Sequence, residues 1–129
     1  MPKDHLSDFV TRFKNRRKDT LVLYNTKKIK EILNVLKKSK LIDFTVTDET
    51  FKFLTLNIKS NNIQSMQVMS KQSRHKYMNY NSLLTDPRLK QTLSFYILTN
   101  SEWGWITSTE ALNKKVGGKV ILWIKLFLD

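Results

Sequence analysis

The side chains best suited to chemistry are few and scattered. His5 and His75 lie far apart, and neither has a second histidine four residues on, the spacing that sets two metal ligands on one helix face. The 129 residues include no cysteine, which removes disulfides, thiolate nucleophiles and zinc ribbons together. Asp43, Asp48 and Glu49 flank an expected turn, where acids are ordinarily solvated. Gly104, Gly117 and Gly118 are the only glycines, too few and too spread for a phosphate-cradling loop. The expectation is therefore a protein that is not an enzyme, with no metal, no cofactor and no small-molecule substrate.

Charge is the stronger signal. Lys and Arg number 23 against 11 Asp and Glu, a net charge of +12 with a pI near 10. Self-repulsion on that scale ordinarily implies a polyanionic partner, either nucleic acid or an anionic membrane surface. Any one exposed lysine is as readily just solvated, but the total exceeds what solubility requires. Both halves are basic. The first forty residues hold twelve basic and four acidic side chains, and Thr50 to Ser101 holds seven basic ones against Asp86 alone.

Two segments combine this charge with groups that recognise RNA. From Ser70 to Tyr80, cations and aromatics interleave as Lys71, Arg74, His75, Lys76, Tyr77 and Tyr80. Cations can hold phosphates while a tyrosine face stacks on an unpaired base or packs on ribose. The plainer alternative buries Tyr77 in a strand core. From Thr99 to Thr107 the chain reads Thr-Asn-Ser-Glu-Trp-Gly-Trp-Ile-Thr. Short hydroxyls and an amide can reach base edges and 2′-hydroxyls in the shallow RNA minor groove. Spacing alone favours an ordinary polar turn. Trp103 or Trp105 could instead anchor a neighbouring protein, and a core role for Trp105 is equally open.

The elements that must position these residues follow from periodicity. Leu6, Phe9, Val10 and Phe13 form one helical stripe, with Asp4 as N-cap and Arg12, Lys14, Arg16, Arg17 and Lys18 on the polar side and exit. Thr20–Tyr24 has strand character. A second helix opens after Asn25 or Thr26, with Ile29, Ile32, Leu33 and Leu36 on one face and Lys27, Lys28, Lys30, Lys37 and Lys38 elsewhere. Leu41–Thr47 and Phe51–Ile58 read as a hairpin turning at Asp48-Glu49-Thr50. Beyond Ser60-Asn61-Asn62 the pattern becomes short strands: Ile63–Ser70, Arg74–Met78, Ser94–Leu98, Trp105-Ile106 and Lys119–Phe127. One short helix precedes the last strand, with Thr107 and Glu110 spaced as a capping box and Gly117-Gly118 as its stop. The fold class expected is α+β in two subdomains, an α-β-α-β-β unit over 1–62 and a strand-rich unit with one short helix over 63–129. No apolar run approaches the roughly 20 residues of a membrane span, and the N-terminus has no signal-peptide core.

Taken in order, these motifs resemble the small-subunit ribosomal protein eight family, over nearly the whole chain. In that family a Ser-Thr-Ser run precedes a Lys-Gly turn, a Met-Thr pair and a helix ending in Gly-Gly before the final strand. The counterparts here are Thr99-Asn100-Ser101, Gly104, Ile106-Thr107 and Gly117-Gly118. Asp4 to Asn15 is similar to the opening helix, Thr11-Arg12 and Asn15 included, and Lys27 to Lys37 to the second helix. Ser70 and Tyr77 match a Ser and a Tyr that flank a Pro-Gly pair. The resemblance implies a structural constituent of the small ribosomal subunit. Such a protein binds the central domain of small-subunit rRNA, mainly through its C-terminal unit, and supports assembly among neighbouring ribosomal proteins. The residues expected at RNA are then Arg12, Asn15, Lys27, Lys30, Lys71, Arg74, Lys76, Tyr77, Thr99, Asn100, Ser101, Gly104 and Thr107.

Two departures stand out. Gln72-Ser73 replaces the Pro-Gly pair, and Glu102-Trp103 replaces the single basic residue before the glycine. Lysine also outnumbers arginine heavily, and Asn, Ile, Phe, Leu and Tyr are abundant while Gly, Ala and Pro are scarce, the pattern of AT-rich coding. Together these suggest a divergent mitochondrial ribosome and an organelle-encoded chain, with a plastid or a bacterial cytoplasm as alternatives. The rival from another class is a cationic module for peripheral membrane or acidic-protein binding.

Overall fold

The computed structural model describes residues 5–16, 19–71, 74–91 and 93–127. Asp4 as N-cap, Arg17 and Lys18 at the helix exit, and the Gln72-Ser73 turn lie outside the described residues. The architecture is α+β, and the chain divides into two compact units, Met1–Asn62 and Ile63–Asp129.

The first unit runs α1 (His5–Asn15), β1 (Thr20–Tyr24), α2 (Lys27–Lys38), β2 (Ile42–Glu49) and β3 (Phe53–Asn61). Its strands form an antiparallel sheet in the order β1-β3-β2. Alternation sends Leu21, Leu23, Leu54, Leu56 and Ile58 inward. The apolar stripes of both helices supply the rest of the core: Leu6, Phe9 and Phe13 from α1, and Ile29, Ile32, Leu33, Val35 and Leu36 from α2. Val10 is only half-buried. α2 begins where the Thr26 hydroxyl accepts a hydrogen bond from the Ile29 N–H at 3.2 Å, which satisfies one of the orphan donors of the first turn.

The β2–β3 turn lies later than the sequence suggests. β2 continues through Glu49, and the chain reverses over Thr50, Phe51 and Lys52. The Thr50 N–H donates to the Phe53 carbonyl at 2.8 Å, and the Phe53 N–H donates to the Thr50 hydroxyl at 2.9 Å. A threonine side chain thus makes the local bonds that hold the turn. Asp48 and Glu49 stay in register with Thr55 and Leu54.

The second unit comprises β4 (Ile63–Val68), β5 (Lys76–Met78), α3 (Tyr80–Leu84), α4 (Pro87–Gln91), β6 (Ser94–Asn100), β7 (Gly104–Thr107), α5 (Ser108–Lys114) and β8 (Gly118–Leu126). β8 is the hub, antiparallel to β4, β5 and β6, and β7 extends the sheet beyond β6. Leu83, Tyr96, Leu98, Ile106, Ala111 and Val120 form one buried cluster on it. The single short helix expected here is α5, and two further one-turn helices accompany it. Asn79 caps α3 by accepting from the Ser82 N–H at 2.8 Å, and Asp86 opens α4 by accepting from the Arg88 N–H at 2.7 Å. The other Asp86 oxygen accepts from the Tyr96 hydroxyl at 2.9 Å. Burial, reinforced by that carboxylate, pushes the Tyr96 phenol up to about 12.

Gly117-Gly118 does not end α5. The helix closes at Lys115, which takes the left-handed conformation (φ 57°) that a glycine usually supplies. The glycines answer a packing demand instead. A Cβ on Gly117 would lie 2.2 Å from the Met78 carbonyl oxygen, and one on Gly118 would lie 2.2 Å from that of Thr99. Both obstacles are backbone and cannot rotate away. Gly117→Ala and Gly118→Ala should therefore each lower unfolding stability by roughly 1–3 kcal/mol, measured by urea denaturation. Wild-type stability in either variant would mean that the strands do not close this tightly on β8.

Candidate functional site

The site of the second unit is built around Ser70. This side chain is buried; its hydroxyl donates to the Val120 carbonyl and accepts from the Lys76 N–H at 2.9 Å. Both ends of the following loop are thereby fixed to β8 and β5. Within the loop Lys71 and Arg74 exchange backbone hydrogen bonds of 2.9 and 3.0 Å. The side chains of Lys71, Arg74, His75 and Lys76 are all exposed. Tyr77 is 69% exposed, which overturns the core alternative; among the described residues β5 is a three-residue strand paired only with β8.

Residues opposite one another in antiparallel strands share a face of the sheet. Tyr77 is opposite Lys119, Lys119 opposite Thr99, and Thr99 opposite Trp105. One row therefore crosses β5, β8, β6 and β7, with an aromatic ring at each end and a cation and a hydroxyl between. Lys119 was not among the residues singled out from sequence. Alternation along the final strand places it on this row, but only the pairing of β8 with β5 and β6 reveals its neighbours.

The β6–β7 turn divides its residues between construction and presentation. Asn100 is committed to construction: its Oδ1 accepts from the N–H groups of Glu102 and Trp103 at 2.8 and 3.0 Å. Its Nδ2 donates to the Gly117 carbonyl at 2.6 Å. Thr107 is buried and caps α5, accepting from the Glu110 N–H at 3.3 Å. Gly104 adopts φ 73° with open space where a Cβ would lie. Ser101 is exposed at the turn and Thr99 half-exposed beside it. These two hydroxyls face outward on a scaffold that Asn100, Gly104 and Thr107 shape.

In the first unit the four candidates separate in a similar way. Arg12 is held by an Asp8 carboxylate 2.8 Å from its Nε, by the Val22 carbonyl 3.2 Å from Nη1, and by the Tyr24 ring 5.0 Å from its guanidinium. Lys30 pairs with Glu49 at 3.0 Å, and this hydrogen bond and charge hold the Glu49 carboxyl below its ordinary value. Asn15 and Lys27 are simply exposed. Among the described residues no cluster of His, Asp or Glu could hold a metal ion, and no helix is long and apolar enough to cross a membrane.

Comparison with known proteins adds an independent line. The family model for ribosomal protein S8 matches residues 4–124. A small ribosomal subunit protein uS8 of Mesomycoplasma hyopneumoniae is 29% identical over 94% of this chain and 95% of its own. That of Lacticaseibacillus casei is 30% identical, covering 94% and 96%. That of Borreliella afzelii is 34% identical over 71% and 72%.

The cations thus fall into two kinds, which stability measurements distinguish. Arg12→Ala, which removes a charged hydrogen bond and a ring contact, should destabilise the protein by about 1–2 kcal/mol. Arg74→Ala should stay within about 0.5 kcal/mol of wild type. Equal losses in urea denaturation would contradict the division.

Proposed function

The chain belongs to the ribosomal protein S8 family, and from that premise we propose that it is a structural constituent of the small ribosomal subunit that binds the central domain of small-subunit rRNA and supports its assembly. The observation that carries the proposal is the row of exposed Tyr77 and half-exposed Lys119, Thr99 and Trp105, with the exposed basic loop at Lys71, Arg74 and Lys76 leading into its Tyr77 end. Cations along this surface neutralise phosphates, which gives affinity and salt dependence but little sequence information. The Thr99 and Ser101 hydroxyls reach base edges and 2′-hydroxyls in a minor groove, and Tyr77 packs on a sugar or base. Asn100, Gly104 and Thr107 act through the turn and the helix cap. In the first unit, Asn15 and Lys27 offer a second set of polar contacts, with Arg12 and Lys30 held in place beside their partners. Neighbouring small-subunit proteins are the remaining partners.

For its setting we propose a mitochondrial ribosome and an organelle gene. The lysine-rich, glycine-poor composition and the two departures at Gln72-Ser73 and Glu102-Trp103 support this reading. Finding the coding sequence on a bacterial chromosome would overturn it without touching the ribosomal role.

The purified chain should bind its cognate central-domain RNA fragment about a thousandfold more tightly than an unrelated hairpin. Both affinities should fall as salt rises. Ser101→Ala should cost about 1 kcal/mol of binding while leaving stability unchanged. Equal affinity for the two RNAs, or tighter binding to anionic lipid vesicles than to the fragment, contradicts the proposal.

A further inference from the structure

We propose that the β6–β7 turn holds one unpaired RNA nucleotide, its base stacked on the open face of Trp103 and its amino group hydrogen-bonded to Glu102. The inference rests on the rRNA-binding reading above and adds a residue and a ligand to it.

Trp103 is 48% exposed at the tip of this turn. The Lys114 ammonium lies 3.8 Å from its ring centroid, so a cation sits on one face of the indole while about half of the residue remains open to solvent. The backbone that carries the ring is also fixed before any ligand arrives. Asn100 fixes the backbone N–H groups of both Glu102 and Trp103 and ties the turn to Gly117. Next in sequence, Gly104 leaves open space within 4 Å of where a side chain would start. A half-exposed aromatic ring on a fixed turn is a stacking platform, and every base has a π-face to offer it.

The surrounding charge selects the occupant. Lys114 lies at the ring, and Lys115 and Lys119 follow it in the chain, against one acid on the same helix, Glu110. That net positive charge suits a polyanion better than a protein anchored on the indole. Glu102 runs against it, an exposed carboxylate one residue from the ring. It repels phosphate, so the backbone of the nucleotide lies toward the lysines. It can also accept from the exocyclic amino group of adenine, cytosine or guanine, which uracil lacks. The extra residue in this turn thus changes a basic contact into a base pocket.

The test uses the full chain and its cognate rRNA central-domain fragment. Trp103→Ala should weaken binding about tenfold or more, the scale of one base stacked on an aromatic ring, with an unchanged salt slope. Trp103→Phe should keep most of the affinity. Photocrosslinking should place Trp103 on an unpaired nucleotide, and making that nucleotide abasic should weaken wild type but not Trp103→Ala. Uridine at that position should weaken wild type more than Glu102→Ala. If wild type discriminates the fragment fully and Trp103→Ala, folded by urea denaturation, binds it equally well, the stacking proposal is wrong and the ribosomal reading stands. If Trp103→Ala binds RNA normally yet fails to join subunits, the indole anchors a protein and the proposal is likewise overturned. Failure of wild type to discriminate the fragment instead removes the reading on which both rest.

Discussion

At the start of β8 the backbones of three strands come closer than any side chain permits. Gly117 lies against the Met78 carbonyl at the end of β5, and Gly118 against the Thr99 carbonyl of β6. This double close approach lets the start of one strand serve as the common partner of β5 and β6, while β4 pairs farther along it. From it follows the register that lines up Tyr77, Lys119, Thr99 and Trp105. The Ser70 hydroxyl uses the same strand, bridging the Val120 carbonyl and the Lys76 N–H. Asn100 reaches the Gly117 carbonyl from the other side. The exposed loop and the exposed turn are therefore both referred to one rigid backbone segment, which holds flexible surface groups in a fixed mutual geometry.

Electrostatics supplies the complementary constraint. A net charge of +12 is unfavourable in the isolated protein, and Arg12 and Lys30 show how some of it is relieved locally, by Asp8 and Glu49. Such exposed or half-exposed pairs stabilise weakly. Along the loop at Lys71, Arg74 and Lys76 the side chains instead face solvent. The excess charge is thus a latent interaction energy, which on the proposed reading a phosphate backbone releases together with its condensed counterions.

Long periodic segments were legible from sequence. The buried faces of α1 (Val10 excepted) and α2 and the Thr107–Glu110 cap follow from side-chain spacing, and Thr26 is one of the two α2 starts that spacing leaves open, because helical period and capping chemistry are local. The errors arose where a distant partner decides. Gly117-Gly118 reads locally as a helix stop, and only the neighbouring strands show that it admits Met78 and Thr99 backbone. Lys115 in a left-handed conformation is not signalled by its residue type. α3 and α4 are too short for a period to appear, and their caps at Asn79 and Asp86 resemble ordinary turns. Within the candidate site, residue types pointed correctly to a polar turn and a basic loop. They could not divide Asn100, which builds, from Ser101, which is presented, since that depends on a contact with Gly117 seventeen positions away. The place of Lys119 beside Tyr77 and Thr99 is hidden for the same reason, since it comes from strand register and not from a motif.

The central claim, that this chain is a building block of a small ribosomal subunit, is tested most directly by where the protein resides in its source cell. Ribosomes from that cell, salt-washed and separated on a sucrose gradient, should carry the chain in the small-subunit peak in amounts stoichiometric with the other small-subunit proteins, as read by quantitative mass spectrometry. Its absence from washed small subunits, with the protein remaining at the top of the gradient or with membranes, would contradict the account.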